Sequence, residues 1–328
     1  MPTMLNRPRR LRVNPSLREL CQENQIQTCD LIAPLFLVDG KKVQQEISSM
    51  PGQYRFSSDM LMPEIDSLLG LGVKAISLFP AVEDKFKDSK GSYCLNQENF
   101  YLQTISKIKQ QYPEMLVMAD VALDPYSSDG HDGIVDAKSG EILNDESIEL
   151  LVKMALLEAQ AGADILGPSD MMDGRIGLIR QALESEGLKN TLIMSYSAKY
   201  ASSFYGPFRD ALDSAPKKGD KKSYQMNPAN ISEALKELEL DLEEGADIVM
   251  VKPGLPYLDV VQAFKQNCHL PVAVYNVSGE YAMIKAAAQK GWLDEQKSMA
   301  EMLLCFKRAG ADLILTYFAK DMAKLLRG

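Results

Sequence analysis

The sequence has 328 residues, of which 46% are hydrophobic and 25% are charged, an ordinary composition for a globular protein. The net charge of −9 argues against a nucleic-acid-binding protein, because contacts with phosphates require a basic face. The sequence contains no run of about 18 apolar residues, so we expect no membrane span. The length fits two small domains or one barrel with an extension.

Cysteine usage indicates a reducing compartment. The five cysteines form no CxxC pair, so neither a zinc ribbon nor a redox motif is supported. Their odd number and the lack of a recognisable signal peptide predict a cytoplasmic protein. The cysteines are Cys21, Cys29, Cys94, Cys268 and Cys305.

The first thirty residues differ from the rest of the chain. Prolines at positions 2, 8 and 15 and the basic cluster at 7–12 predict an extended N-terminal arm over residues 1–30. The basic cluster is typical of a solvated arm or a subunit contact, and less so of a nucleic-acid site. We therefore expect the arm to contact another subunit and residues 31–328 to form the main domain.

A repeated unit of helix, glycine turn and buried strand organises that domain. Glycine is the expected residue just beyond a helix C-terminus, and the apolar run after it suits a strand buried on both faces. The four clearest copies are GVKAISLFP (72–80), GADILGPSD (162–170), GADIVMVKP (245–253) and GADLILTYF (310–318).

Four further apolar runs raise the number of predicted strands to eight. They cover residues 31–38, 116–123, 192–197 and 271–277. Amphipathic helices are predicted between the strands at 97–111, 147–161, 228–244, 257–266, 280–290 and 295–309. Eight such units predict a (β/α)8 TIM barrel. A doubly wound open sheet is the alternative, and the lack of GxGxxG after the first strand disfavours it.

Two lysines end consecutive predicted strands. Lys199 closes TLIMSYSAK and Lys252 closes DIVMVK, with Pro253 stopping the second strand. In a barrel of this kind the strand ends carry the chemistry, and neighbouring strands lie about 4.8 Å apart. Burial and a second ammonium both lower the pKa of a lysine, and a neutral amine attacks ketones. The pair predicts covalent carbonyl chemistry on two substrate molecules.

A long loop follows Lys199. It covers about residues 202–227 and contains Arg209 and four lysines at 217, 218, 221 and 222. Long loops in compact domains are commonly active-site lids, so this one is predicted to close over an anionic substrate. A solvated surface loop is the alternative.

Several long motifs resemble the porphobilinogen synthase (5-aminolevulinate dehydratase) family. They are MSYSAKYASSFYGPFRDA (194–211), VMVKPGLPYLD (249–259), PSDMMDGR (168–175), AVYNVSGEYAM (273–283) and RAGADLILTYFA (308–319). The resemblance implies a TIM barrel with an N-terminal arm, assembled as a homo-octamer. It also implies condensation of two 5-aminolevulinate molecules to porphobilinogen, with loss of two waters, in tetrapyrrole (haem and chlorophyll) biosynthesis.

The resemblance assigns roles residue by residue. Lys252 would form a Schiff base with the first substrate, which supplies the propionate side of the product, and Lys199 with the second. The remaining implied substrate contacts divide between the two molecules. Arg209 and Lys221, with Gln225 nearby, would hold the carboxylate of the second substrate, and Ser278 and Tyr317 that of the first.

The same resemblance bears on metals. Where some family members carry three zinc cysteines, this chain has Ala122, Asp124 and Asp132, so it resembles a zinc-independent, magnesium-responsive branch. The two aspartates are candidate catalytic residues that would bind a metal, pair with the lysines or move protons. Glu237 matches the glutamate of an allosteric magnesium site and Asp173 a carboxylate of its second shell. No organic cofactor is expected.

Two other functions remain open from the residues alone. A class I Schiff-base aldolase acting on a sugar phosphate would share the barrel and one lysine, with a phosphate site where SGEYAM (278–283) starts a helix. The second alternative is a catalytically inactive barrel that serves as a binding scaffold, and the presence of both lysines disfavours it. His131, next to Asp132, has no assigned role, and His269 is expected to be structural.

Overall fold

The computed structural model describes residues 5–212 and 216–327. Within these ranges the strands are β1 (Leu31–Val38), β2 (Gln44–Glu46), β3 (Tyr54–Phe56), β4 (Ala75–Ala81), β5 (Leu116–Val121), β6 (Ile134–Val135), β7 (Ile142–Leu143), β8 (Ile165–Pro168), β9 (Leu192–Lys199), β10 (Ile248–Lys252), β11 (Val272–Asn276) and β12 (Leu313–Thr316). The α-helices there are α1 (Pro15–Leu20), α2 (Ser58–Gly70), α3 (Phe100–Gln111), α4 (Asn144–Gln160), α5 (Arg175–Ser185), α6 (Gly206–Leu212), α7 (Ser232–Glu243), α8 (Leu258–Asn267), α9 (Ser278–Gln289), α10 (Glu295–Ala309) and α11 (Ala319–Arg327).

Eight of the strands form a closed parallel barrel. Their order around it is β1, β4, β5, β8, β9, β10, β11 and β12, and pairing of β12 with β1 closes the ring. This closure confirms the predicted (β/α)8 TIM barrel and excludes the doubly wound open sheet. Each of the eight strands begins inside its predicted segment. The prediction succeeded because the apolar runs are buried on both faces of the sheet.

The glycine turns have the predicted left-handed backbone. Gly72, Gly162, Gly245 and Gly310 have φ values of +87°, +106°, +93° and +111°. Side chains other than glycine rarely adopt this conformation. At Gly310 a Cβ atom would also lie 2.8 Å from the Lys265 side chain. Each helix therefore ends where glycine lets the chain reverse into the next strand.

Short strands outside the barrel were missed by the sequence analysis. β2 and β3 pair antiparallel, and β3 continues beside β1 at the carboxyl end of the barrel. β6 and β7 form a separate two-stranded sheet in the segment after β5. Strands of two or three residues show too little alternation of polar and apolar residues for a periodic pattern to reveal them.

The described part of the arm packs little against its own barrel. Residues 5–30 include a 3-10 helix at Pro8–Arg12 and α1, and none of their side chains is buried. Residues 1–4 of the predicted arm lie outside the described residues. Among the described helices, none is long and apolar enough to cross a membrane.

Aromatic rings fill the carboxyl end of the barrel. Phe36 of β1 stacks on Tyr317, with ring centroids 5.9 Å apart, and Phe79 of β4 meets Phe208 edge-on at 5.3 Å. Tyr275 of β11 lies 6.1 Å from Tyr317. This aromatic layer excludes water from the level at which the strands end.

Candidate active site

The two predicted lysines are direct neighbours. Lys199 ends β9 and Lys252 ends β10, and they are partners in the strand register. A register shift between Val249 and Val251, where β9 carries one extra residue, brings the two positions level. Both side chains are buried, with 6% exposure each. The structure therefore places the two lysines side by side, as predicted.

Aromatic rings surround the amine of Lys252. Its Nζ lies 4.5 Å from the ring centroid of Tyr275, 5.0 Å from that of Tyr196, 5.3 Å from that of Phe208 and 5.4 Å from that of Tyr205. These rings provide weak cation–π attraction but little of the solvation that water gives to an ammonium. Such an environment favours the neutral amine.

The pKa of Lys252 follows from this environment. Burial, and then the charge of Lys199, lower the pKa of Lys252 to about 7, whereas Asp120, Asp132 and Asp124 act in the opposite direction. Near neutral pH a large fraction of Lys252 is thus uncharged. A neutral amine in a dry pocket can attack a ketone.

Lys199 has different partners. Its Nζ donates to the carboxylate of Asp132 at 3.1 Å and to the carbonyl oxygen of Ser169. Asp132 is 1% exposed. Burial disfavours its charge, but Lys199 and Lys221 outweigh burial and lower the pKa of Asp132 to about 2.

The predicted lid lysine, Lys221, enters the same ion-pair network. Its Nζ lies 2.5 Å from Asp132 Oδ1 and 3.4 Å from Asp124 Oδ2. Desolvation opposes its charge, yet the two carboxylates raise the pKa of Lys221 overall. Asp132 thus pairs with Lys199, one of the alternatives that the sequence left open, whereas Asp124 pairs with Lys221 of the predicted lid. Ala122 is the remaining position at which some family members carry a zinc cysteine; its side chain is buried and offers no ligand.

Asp120, near the end of β5, is a site residue to which sequence reasoning gave no role. It accepts a hydrogen bond of 2.8 Å from the hydroxyl of Ser169. Burial and the charge of Asp124 raise the pKa of Asp120 to about 7, against the opposing effect of Ser169, Lys252 and Lys199. A carboxyl group with this pKa can exchange protons near neutrality.

Ser278 and Tyr317 lie on the side of Lys252 away from Lys199. The Tyr317 hydroxyl is 2.9 Å from that of Tyr275, which belongs to the aromatic group around Lys252. Ser278 begins α9, and its hydroxyl accepts from the backbone N–H of Phe208 at 3.0 Å. Both side chains are buried, and the Ser278 contact ties the predicted lid to the barrel.

The predicted lid is held at several points. His131 Nε2 donates to the carbonyl oxygen of Lys218 at 3.0 Å, and its Nδ1 lies 3.1 Å from the Tyr224 hydroxyl. That hydroxyl also accepts from the backbone N–H of Asp132 at 3.3 Å. Arg209 lies half-buried in α6 and Gln225 is buried. Residues 213–215 of the predicted lid lie outside the described residues.

The predicted metal residues share a separate cleft. Glu237 and Asp173 line an opening of about 740 Å³, together with Tyr224 and Gln225 of the lid. Burial raises the pKa of Glu237 to about 7, Asp173 adds to this effect, and Arg175 opposes it. In residues 5–212 and 216–327 no cluster of three or more His, Cys, Asp or Glu side chains could hold a metal.

Comparisons with known proteins agree with this geometry. The family model described as delta-aminolevulinic acid dehydratase matches residues 5–325. The chain is 52% identical to the chloroplastic delta-aminolevulinic acid dehydratase of Glycine max, over 98% of this chain and 78% of that protein. It is 51% identical to the delta-aminolevulinic acid dehydratase of Chlamydia pneumoniae, over 99% of this chain and 97% of that protein.

A solved structure has the same fold over nearly the whole chain. It is the delta-aminolevulinic acid dehydratase (porphobilinogen synthase) of Toxoplasma gondii in complex with the reaction product porphobilinogen. The TM-score is 0.97 and the identity 50%, covering 98% of this chain and 92% of that one. The fold, the paired lysines and the full-length matches together place this chain in the delta-aminolevulinic acid dehydratase family.

Proposed function

We propose that this protein condenses two molecules of 5-aminolevulinate into porphobilinogen and two waters, in tetrapyrrole biosynthesis. The observation that carries the proposal is the register pairing of two buried lysines, one with its pKa lowered to about 7, at adjacent strand ends of a family member. One amine for each keto acid is what a condensation of two identical ketones requires.

Lys252 supplies the first nucleophile. Its neutral amine attacks the ketone of one substrate, and loss of water gives an iminium in which the amine nitrogen replaces the ketone oxygen. Ser278 and Tyr317 bind the carboxylate of that substrate through hydroxyl donors. The positive iminium withdraws electrons from the adjacent carbon, which can then lose a proton and form a carbon–carbon bond.

Lys199 supplies the second nucleophile, and its nitrogen releases a proton as the carbon–nitrogen bond to the second ketone forms. Asp132 is a poor acceptor for that proton, because its pKa is about 2. Asp120, with a pKa raised to about 7, is the better carrier. Asp132 and Asp124 instead hold Lys221, and Arg209 with Gln225 completes the predicted carboxylate clamp for the second substrate.

The test is product formation by lysine variants. Lys252→Ala and Lys199→Ala should each lower the rate of porphobilinogen formation from 5-aminolevulinate by more than about a thousandfold, because each removes a covalent intermediate. Lys236→Ala, which alters an exposed lysine on α7, is the matched control and should retain the parent rate. Substantial turnover by either active-site variant would reject the proposal.

No observation favours the sugar-phosphate aldolase. The two lysines and the family match both favour the condensation. Both lysines are in place, which disfavours an inactive scaffold.

The magnesium site is also a proposal. Glu237 would hold Mg²⁺ directly and Asp173 through water, because Mg²⁺ keeps several waters and needs few protein ligands. The donors fit, since Glu237 is a half-buried carboxylate next to Asp173 and would be stabilised in its charged form by a cation. When bound, the ion supplies positive charge that stabilises the cleft beside the lid. The aspartates at 124 and 132 would bind no zinc.

The metal proposal is tested by stability and not only by activity. Millimolar MgCl₂ should raise the melting temperature of the parent protein and leave that of Glu237→Gln unchanged. Glu239→Gln, an exposed carboxylate on the same helix, is the control and should respond like the parent. Stabilisation of the Glu237→Gln variant by magnesium, or of the parent only by zinc, would contradict the assignment.

We also propose that the arm contacts another subunit of a homo-octamer. None of the side chains of residues 5–30 is buried in the single chain, and the exposed ones include Leu5, Leu11, Val13 and Leu20. Exposed apolar residues in one segment mark a protein contact. The compartment is proposed to be the cytoplasm, where the five cysteines would stay reduced.

A further inference from the structure

Glu280 is a buried carboxylate, bonded to the turn that follows Lys252, that has no assigned role. It is the third residue of α9 and has 0% exposure. It accepts hydrogen bonds from the backbone N–H of Val277 at 2.5 Å, from the backbone N–H of Leu255, and from Asn276 Nδ2 at 3.3 Å. The Leu255 contact crosses from α9 to the turn that follows Lys252.

The contacts of Glu280 join three strand ends. Leu255 lies in the turn after β10, and Asn276 is the last residue of β11. Asn276 Oδ1 in turn accepts a hydrogen bond of 2.8 Å from the hydroxyl of Thr316, the last residue of β12. The same three strand ends carry site residues: Lys252 ends β10 before the turn that contains Leu255, Ser278 follows Asn276 by two positions, and Tyr317 directly follows Thr316.

The hydrogen-bond partners of Glu280 favour its ionised form. Every contact above is a donor, so a carboxylate satisfies all of them and a carboxylic acid or an amide does not. Burial raises the pKa of Glu280 to about 7, while the N–H groups of Leu255, Val277 and Gly254 favour the charged form. The turn has little freedom to move away, because a Cβ at Gly254 would lie 2.7 Å from the Phe306 ring.

We propose that Glu280 is a positioning residue for Lys252. By fixing the Gly254–Leu255 turn against the start of α9, it sets the distance from the Lys252 amine to the hydroxyls of Ser278 and Tyr317. One keto acid then meets the amine at its ketone and the hydroxyls at its carboxylate. The inference rests on the proposed Schiff-base function and adds a specific role for this carboxylate.

The test measures adduct formation at each lysine separately. Parent protein and variants are mixed with 5-aminolevulinate, reduced with borohydride at a series of times, and digested for peptide mass mapping. Glu280→Gln should slow labelling of Lys252 about tenfold, the change expected when one charge-assisted hydrogen bond is lost, and leave the rate at Lys199 unchanged.

A matched control separates positioning from burial. Glu158 of α4 is also fully buried, and neither of its carboxylate oxygens has a hydrogen-bond partner among the described residues. Glu158→Gln should therefore label both lysines at the parent rates. If Glu280→Gln fails to fold, Thr316→Val serves instead, since it removes the hydroxyl bonded to Asn276 at nearly constant volume and should slow Lys252 selectively by about threefold.

Each outcome decides between the possibilities. Selective slowing at Lys252 supports the inference. Equal slowing at both lysines indicates a general structural role, and unchanged labelling indicates no role, so either result overturns it. If the parent protein labels neither lysine, the proposed function fails and the inference fails with it.

Discussion

Lys199 and Lys252 occupy equivalent positions in their strands but differ in what surrounds their amines. Lys252 lies among aromatic rings, whereas Lys199 donates to Asp132 and to the backbone of Ser169. The site therefore combines one amine that is largely neutral near pH 7 with one that is ion-paired. This difference fits a reaction in which the two substrate molecules have different fates.

The charge of Lys199 should control the pH dependence of Lys252. Lys199→Met removes a neighbouring ammonium, so the pKa of Lys252 should rise from about 7 towards its ordinary value. Only the neutral amine reacts, so the rising limb of Schiff-base formation at Lys252 should move to higher pH by about one unit or more. Borohydride trapping with 5-aminolevulinate across pH 5–10 measures this limb.

The control for this pH profile is Lys236→Met, which alters an exposed lysine paired with Glu239. It should leave the limb in place. A limb that stays fixed in Lys199→Met, or moves to lower pH, would show that Lys199 does not depress the pKa of Lys252.

The sequence alone identified the lysines and not their ion-pair partners. A lysine at the end of an apolar strand stands out from its pattern, so its place at the barrel mouth follows from the fold. The bond between Lys221 and Asp132 joins residues 89 positions apart through two irregular loops. No periodic pattern relates such loops, so the prediction stopped at a choice between metal binding, lysine pairing and proton transfer for Asp124 and Asp132.

At the level of elements, residues 218–224 of the lid are attached to the segment after β5 through hydrogen bonds and ion pairs. Tyr224 and Lys218 contact His131, and Lys221 contacts Asp132 and Asp124. The partners His131, Asp132 and Asp124 all lie in the loop between β5 and β6. The lid and the lysine pair are thereby linked through the shared carboxylate of Asp132.

Loss of the Tyr224 hydroxyl should loosen the lid. Tyr224→Phe removes the acceptor for the Asp132 N–H and the partner of His131 Nδ1. KM for 5-aminolevulinate should rise about fivefold, as expected for a loss of about 1 kcal/mol, with a smaller change in kcat. Trypsin should also cleave faster after Lys217, Lys218 or Lys222.

Tyr112→Phe provides the comparison, because its hydroxyl contacts Met62 O at 3.4 Å, away from the lid. It should retain the parent KM and the parent cleavage pattern. Unchanged KM and unchanged proteolysis in Tyr224→Phe would mean that these contacts do not hold the lid.

Element prediction succeeded where the sequence is periodic. The helices predicted at 97–111 and 295–309 correspond to α3 (Phe100–Gln111) and α10 (Glu295–Ala309). The β2–β3 hairpin was missed because its three-residue strands are mostly exposed and have no apolar run. Its position was set by pairing with β1, which is a tertiary contact.

For the whole molecule, the arm contributes little to the buried core, although Ile26 packs against that core and Asp30 pairs with Lys307. No residue from 5 to 30 is buried in the single chain, while the barrel encloses a continuous apolar core. The barrel thus contains its own stabilising contacts, and the arm is available for a partner. The domain boundary near residue 30 stays a prediction.

Removal of the arm should change assembly more than folding. A variant lacking residues 1–22 should keep the circular dichroism spectrum and cooperative melting of the parent, because none of the side chains of residues 5–22 is buried. Its mass by light scattering should fall well below that of the parent. Trp292→Ser, which alters an exposed apolar residue outside the arm, should keep the parent mass. Equal masses for the truncated and parent proteins would refute the role of the arm.

The seam between β1 and β12 has a consequence for biosynthesis. Leu31 and Ile32 pair with Ile314 and Leu315, so the ring joins its first strand to its last. A nascent polypeptide on the ribosome cannot complete the cylinder until β12 has been translated and has left the exit tunnel. Until then one edge of β1 has unpaired backbone N–H and C=O groups, to which chaperones or other chains can bind. The enzyme therefore matures only after nearly all of its barrel has been synthesised.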